Sequence, residues 1–395
     1  MQSIFRNLIL FCSILVLSLH NSSAQMPGLC KYYNHAIFGY TCGISEVQFI
    51  LENDELVIIG DHMQGRTNND VVFVEFLNSS TIFLPSIMFD TFPNLNRLHA
   101  ENVNLTTIST RTFRNCSNLI TLSLSNNNIE SIPGDTFAEC YNLENINLQN
   151  NSLVVTGLAF RGLENVRTLN LNNNLLVTVN VNTFTTMPNL TELNLASNYI
   201  NGLNVRLFVP TTNLKTLRVG NNNISALNAN VFAELKQLET LHLFSNRLTN
   251  IPIDLFRNLV NLKRLNFNDN LIPLIRPTLF DSLRNLVSLS FSENLIPTIP
   301  NAAFDNLTKL ESLSIGNNQI ENLNSEMFKN NIKLVSLGLR NNNINFIEKT
   351  SFQNLPKLTY LNLFRNKCVD RYFTVYNNLQ TDVLPFLETC IYNFQ

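Results

Sequence analysis

The stretch Leu119-Ile120-Thr121-Leu122-Ser123-Leu124-Ser125-Asn126-Asn127-Asn128-Ile129 decides how this chain is built. It reads LxxLxLxxNxI. The same spacing restarts at Leu143, Val166, Leu190, Leu214, Leu238, Leu262, Leu286, Leu310, Leu334 and Leu358, every 24 residues except for one step of 23. A period in the twenties means one short unit stacked on copies of itself, a solenoid whose units touch only their neighbours. Within the unit, Leu119, Leu122 and Leu124 carry the apolar side of a short strand, while Ile120, Thr121, Ser123 and Ser125 face solvent. Stacked strands then make one parallel sheet.

Two ladders follow from the period. Asn127 recurs as Asn151, Asn174, Asn198, Asn222, Asn246, Asn270, Asn294, Asn318, Asn342 and Asn366. A small side chain with amide donors and a carbonyl acceptor is what a sharp inward bend needs to satisfy its unpaired backbone groups. These asparagines read as structural. The second ladder is Phe113, Phe137, Phe160, Phe184, Phe208, Phe232, Phe256, Phe280, Phe304, Phe328 and Phe352, expected to stack behind the sheet as core.

Outward from the repeats, Arg6 precedes the apolar run Leu8–Leu19, which leads to Ser22-Ser23-Ala24. That pattern is a secretory leader with small residues at the cleavage positions. The run is short of the roughly 20 residues a membrane span needs, so the expectation is a secreted chain without a transmembrane anchor. The division expected is residues 1–24 leader, 25–70 N-terminal cap, 71–368 solenoid of about 13 repeats and 369–395 C-terminal cap. In the first cap, Glu46–Leu51 and Glu55–Gly60 read as a strand pair.

Seven cysteines fall to six once Cys12 leaves with the leader, an even number suited to an oxidising compartment. Cys30 and Cys42 bracket a short segment before the repeats and are expected to pair; Cys368 and Cys390 are expected to close the other end. Cys116 and Cys140 occupy the place filled elsewhere by Leu163, Leu235, Leu259, Leu283, Leu307 and Leu355. As stacked neighbours they could be bonded, but Cys in such a place behaves as a small hydrophobe, and buried free thiols are the favoured reading. Asn78, Asn104, Asn150, Asn189, Asn223 and Asn306 head sequons for N-glycosylation, with Asn115 a weaker seventh, and none falls on the asparagine ladder.

The consensus IPxxxFxxLxxLxxLxLxxNxL, seen from Ile251-Pro252 through Phe256, Leu259, Leu262, Leu265 and Asn270, resembles the typical class of extracellular leucine-rich repeats. Toll-type ectodomains, matrix proteoglycan cores, adhesion proteins and secreted immune-recognition proteins share it. The resemblance implies an α/β solenoid in horseshoe form. A parallel sheet would lie on its concave side and irregular or 3-10 turns on its convex side, with caps at both ends. It also implies ligand binding on the concave sheet or its rim. Two cysteines in the C-terminal cap, where the family usually has four, are a departure.

The outward positions of successive strands run from His99 and Glu101 to Asn362 and Phe364 and are mostly small, polar and uncharged. Two groups stand out. Lys215, Arg218, His242, Phe244, Lys263 and Arg264 lie on three consecutive repeats, about 10 Å across at the usual strand spacing, and Arg and aromatic side chains are enriched at binding hot spots. Phe244 stands there with no evident folding reason. Arg340, Tyr360, Phe364 and Arg365 form a second group, whose rings could instead pack under Tyr372-Phe373.

The formal net charge of −2, with no basic stripe, speaks against nucleic acid as partner. No HExxH, GxSxG or phosphate loop occurs, and His99 and His242 lie six repeats, roughly 29 Å, apart. Neither an enzyme, a cofactor nor a metal site is expected. What remains is a secreted solenoid that binds an extracellular protein or glycan, with innate immunity as one setting and a matrix or adhesion component as the rival. Homo- or heterodimer formation is left open.

Overall fold

The computed structural model describes residues 26–45, 48–49, 56–154, 157–375 and 379–391. The leader and Gln25 lie outside the described residues. Twelve strands of three residues, from Arg97–His99 through Thr121–Ser123 to Tyr360–Asn362, pair in parallel with their neighbours. They follow Phe73–Leu77 and belong to a single 17-stranded sheet. Register is fixed by the repeat: Leu193 lies opposite Leu217, and Leu217 opposite Leu241. Each leucine is fully buried, so slipping a strand by one residue would turn a whole row of core side chains to water.

The asparagine ladder makes the expected bonds. Asn222 accepts from the Ile200 amide at 2.9 Å and donates to the Leu195 and Val219 carbonyls at 3.0 and 3.1 Å. At the ladder's start the preceding repeat has Val103 in place of asparagine, and Asn127 compensates by accepting from both Val103 and Leu105, each at 3.0 Å. Behind the sheet the phenylalanines stack as expected, for example Phe137 on Phe160 at 6.4 Å and Phe304 on Phe328 at 6.3 Å between ring centres. Phe267 and Phe291, standing where most other repeats carry Leu, Val or Ile, add a second stack at 5.2 Å. The convex side is a run of tight turns, such as Leu235 to Phe232 and Leu238 to Leu235, each 3.0 Å. Helix is confined, among the described residues, to short pieces in and beside the caps.

Both ends of the sheet are closed. At the front, Met26–His35 and Gly39–Ser45 form an antiparallel hairpin whose second strand pairs with Phe73–Leu77. Part of the expected pair between Glu46–Leu51 and Glu55–Gly60 lies outside the described residues, and the strands that are described there take other partners. Gln48–Phe49 lies beside Ser80–Thr81, and Leu56–Ile59 runs parallel to Met26–Leu29. The hairpin leaves an outer edge of unpaired backbone groups, and Leu56–Ile59 pairs there. At the rear, Tyr372–Thr374 pairs antiparallel with Tyr360–Asn362.

Disulfides join Cys30 to Cys42 and Cys368 to Cys390. A third joins Cys116 to Cys140, which corrects the favoured reading of free thiols. The two sit at the same place on stacked turns with their α-carbons 4.9 Å apart, a separation a disulfide bridges without moving the backbone.

Candidate functional site

Adjacent strands bring the first group together. Arg218 lies opposite His242, and Thr216 opposite Thr240, which in turn lies opposite Arg264. His242 is half-buried. Burial lowers its pKa, and the Arg218 and Arg264 charges push the same way. Arg218 has only a distant ion pair, 3.9 Å from Glu192. Lys263 is committed, its ammonium 2.7 Å from Glu239. The hydrogen bond from Lys263 is the main cause of Glu239's lowered pKa, with the charges of Lys263, Lys215 and Arg264 adding to it. Arg264 enters no ion pair among the described residues.

Phe244 does have a packing reason, contrary to the sequence reading. Its ring lies flat on the α-carbon of Gly220; a β-carbon there would come within 2.7–2.8 Å of three ring atoms. The ring is also 6.1 Å edge-on from His242. Glycine one repeat earlier therefore seats the aromatic, leaving it half-buried.

The second group stays open. Tyr360 and Phe364 are each 40% exposed, while Phe373 is buried and packs on Phe386. The rings are thus not covered by the cap strand. The Arg365 guanidinium lies 5.3 Å from the Phe364 ring centre, a cation–π contact, and Arg340 leans on Gly316.

A third region of the same face was not singled out from the sequence. The strand Thr121–Ser123 and the following Ser125 carry small side chains, between a repeat with His99 and Glu101 and one with Asn147 and Gln149. A hollow of about 350 Å³ results, lined by His99, Glu101, Thr121, Ser123, Asn147 and Asn170 among others. Asn147 donates to the Ser123 hydroxyl at 3.3 Å, and Ser123 donates to Glu101. His99 is wedged edge-on against Phe73 at 4.8 Å, with its pKa lowered by burial and by the Arg97 and His35 charges, against the pull of Glu101. Glu75, directly across from His99, has its pKa raised by burial and by Glu101. Reading side-chain size along the column of outward positions, rather than charge and aromatics, would have found the hollow.

The sequon asparagines differ in surroundings. Asn78 and Asn104 are exposed with positive φ of 46° and 62°. Asn150 is tied by side-chain bonds to Asn126 and Asn173. Asn189 donates at 3.0 Å to the Glu164 carbonyl, Asn306 at 2.9 Å to Asp281, and Asn223 is half-buried. Asn189 belongs to a second asparagine ladder at the rim, with Asn118, Asn142, Asn165, Asn213, Asn261 and Asn285, each donating to the previous repeat. No group of three or more metal-ligating side chains occurs among the described residues, and none of their helices is long and apolar enough to cross a membrane.

Comparison with known proteins agrees with this architecture. The leucine rich repeat model matches residues 93–153, 154–200, 188–248, 236–296, 274–320 and 308–367, and the chain belongs to the leucine-rich repeat family. In sequence, no curated protein matches it. Among solved structures it is similar to a chain of the Drosophila Toll–Spatzle complex, at 24% identity and TM-score 0.69, over 79% of this chain and 42% of that one. It is similar to a Leptospira interrogans leucine-rich repeat protein at 25% identity and TM-score 0.69, over 82% of this chain and 84% of that one. A TLR13–ssRNA13 complex gives 27% identity and TM-score 0.57, over 76% of this chain and 51% of that one.

Proposed function

We propose that this is a secreted, glycosylated recognition protein that binds an extracellular protein ligand on its concave face, with Arg218, His242, Phe244 and Arg264 at the centre of the contact and Lys215 and Lys263 at its edge. One observation carries the reading. An aromatic ring seated on Gly220 shares a face with Arg218, held only by a distant ion pair to Glu192, and with Arg264, which enters no ion pair among the described residues, and preorganised Arg and aromatic anchors are what hot spots are made of. Unpaired positive charge selects a ligand with an acidic surface. The disulfides agree with an oxidising, extracellular setting, and an innate-immune role is the first to examine. Binding rather than catalysis is the reading because the patch holds no nucleophile paired with a base.

The TLR13 complex contains single-stranded RNA. Here Glu192 and Glu239 interrupt the cations of the patch, and a chain of net charge −2 lacks the basic track that a phosphate backbone requires. The rival reading, a matrix or adhesion component, shares the fold and differs in partner.

The test is capture from extracellular fluid and from matrix extract with the glycosylated protein, beside an Arg218→Ser/Phe244→Ser variant. A discrete partner, lost at least tenfold in the variant and released by salt, is expected. Recovery of abundant matrix components alone, equal for both forms, would overturn the proposal in favour of the rival.

A further inference from the structure

We propose that the hollow between His99 and Asn170 is a second binding site on the concave face, separate from the arginine–aromatic patch, and that its ligand is a neutral mono- or disaccharide. Its origin is the narrow repeat: Thr121 and Ser123 form a hydroxyl floor because their neighbours on both sides carry longer side chains. One wall is the Glu101 carboxylate, the other the amides of Asn147 and Asn170. A volume of about 350 Å³ sits at the small end of the 300–1,000 Å³ typical of small-molecule sites.

The polar groups are arranged rather than merely present. Asn147 donates to Ser123 and Ser123 donates to Glu101, so the carboxylate is held in one orientation and keeps lone pairs to accept from ligand hydroxyls. Asn170 donates to the Gln149 side-chain oxygen at 2.9 Å and accepts from the Asn172 amide at 3.1 Å, so its amide is held in one orientation. Fixed acceptors on one wall, amides on the other and hydroxyls beneath suit a ligand whose every group both donates and accepts, which is what a sugar is. The His99 ring, set against Phe73, lines the hollow and is the group able to meet the C–H side of a pyranose. Phosphate-bearing ligands are repelled by Glu101 and by Glu75, which stands across from His99 close enough to feel the Glu101 charge. The near edge of the hollow is two strands, about 10 Å, from Arg218, so the site stands whether or not the patch binds protein.

The experiment is a titration of the full chain with cellobiose, mannobiose, xylobiose and N,N′-diacetylchitobiose, with spermidine as a cationic control, followed by calorimetry and by the amide signals of Ser123 and Asn147. At least one disaccharide should saturate a single site at millimolar or tighter affinity. Glu101→Gln should weaken it about tenfold, as for one hydrogen bond to a charged group, and Ser123→Tyr should abolish it by filling the floor. Arg218→Ser should leave it unchanged, which separates failure here from failure of the patch. Should Ser123→Tyr fail to fold, Glu101→Gln and Asn147→Ala carry the test. The inference is overturned if no disaccharide shifts those signals, if binding survives Glu101→Gln and Asn147→Ala, or if spermidine binds in place of sugar.

Discussion

Asn222 donates to the Leu195 carbonyl of the preceding repeat and to the Val219 carbonyl of its own, and accepts from the Ile200 amide of the preceding repeat, all buried. Asn222→Ala strands those groups, and at about 1 kcal/mol for each bond, more where a partner stays unmatched, the loss should be about 2–4 kcal/mol. Urea unfolding measures it; a change below 1 kcal/mol would mean water replaces the side chain. A subtler position is the residue just before each ladder asparagine. Asn126, Asn150, Asn173, Ser197, Asn221, Ser245, Asp269, Glu293, Asn317, Asn341 and Arg365 all have φ between 50° and 59°. Asn adopts this left-handed backbone more easily than Glu does, so Glu293→Asn should gain about 0.5–1 kcal/mol, and a lower melting temperature would refute the strain argument. The ladder was legible because one residue type recurs at one spacing. The left-handed column was not, since its Asn, Ser and Asp also read as ordinary surface.

At the scale of elements, the Cys116–Cys140 link ties two turns that are already neighbours. Replacing both by Leu, the residue at the same place in six other repeats, keeps the packing and removes only the link. By the loop-closure argument that should cost about 3 kcal/mol for a sequence separation of 24. Peptide mapping without reductant should recover the bridged pair, and two free thiols would restore the sequence reading. That reading saw that cysteines one period apart are stacked but gave more weight to Cys as a small hydrophobe standing in for leucine. The geometry of stacking was the stronger argument. The cap strands were misassigned for the opposite reason: they have no repeat to fix their partners, so local alternation was the only guide. Likewise the Phe244 ring could be placed on the concave face from its column, but that Gly220 seats it depends on reading across two repeats at once.

For the whole molecule, His99 and His242 set a pH dependence. Burial lowers both folded pKa values below the usual histidine value of 6.5, with nearby cations adding to it. Between the folded and unfolded values the unfolded chain binds more protons, so stability present above about pH 6.5 is lost as pH falls through that value. Glu75 opposes this at lower pH, because its raised pKa favours the protonated carboxyl in the folded state. The melting temperature should fall on acidification from neutral toward pH 5, and His99→Gln/His242→Gln should flatten that fall; an unchanged slope would place the titration elsewhere. Sequence told the global architecture, because periodicity is a property of the whole chain. It told less of where ligands sit, because concave side chains are free of the repeat and their meaning comes from neighbours a full turn away.

The closed ends of the sheet have one more consequence. With a hairpin sealing one edge and an antiparallel strand the other, the interior is modular, and a unit of 24 residues could be gained or lost between the caps without either cap being redesigned. The solenoid then works as a ruler: adding one unit between Asn170 and Arg218 would move the hollow and the arginine–aromatic patch apart by one strand spacing, about 4.8 Å, and retune the span of a ligand that bridges them while leaving the chemistry of each untouched.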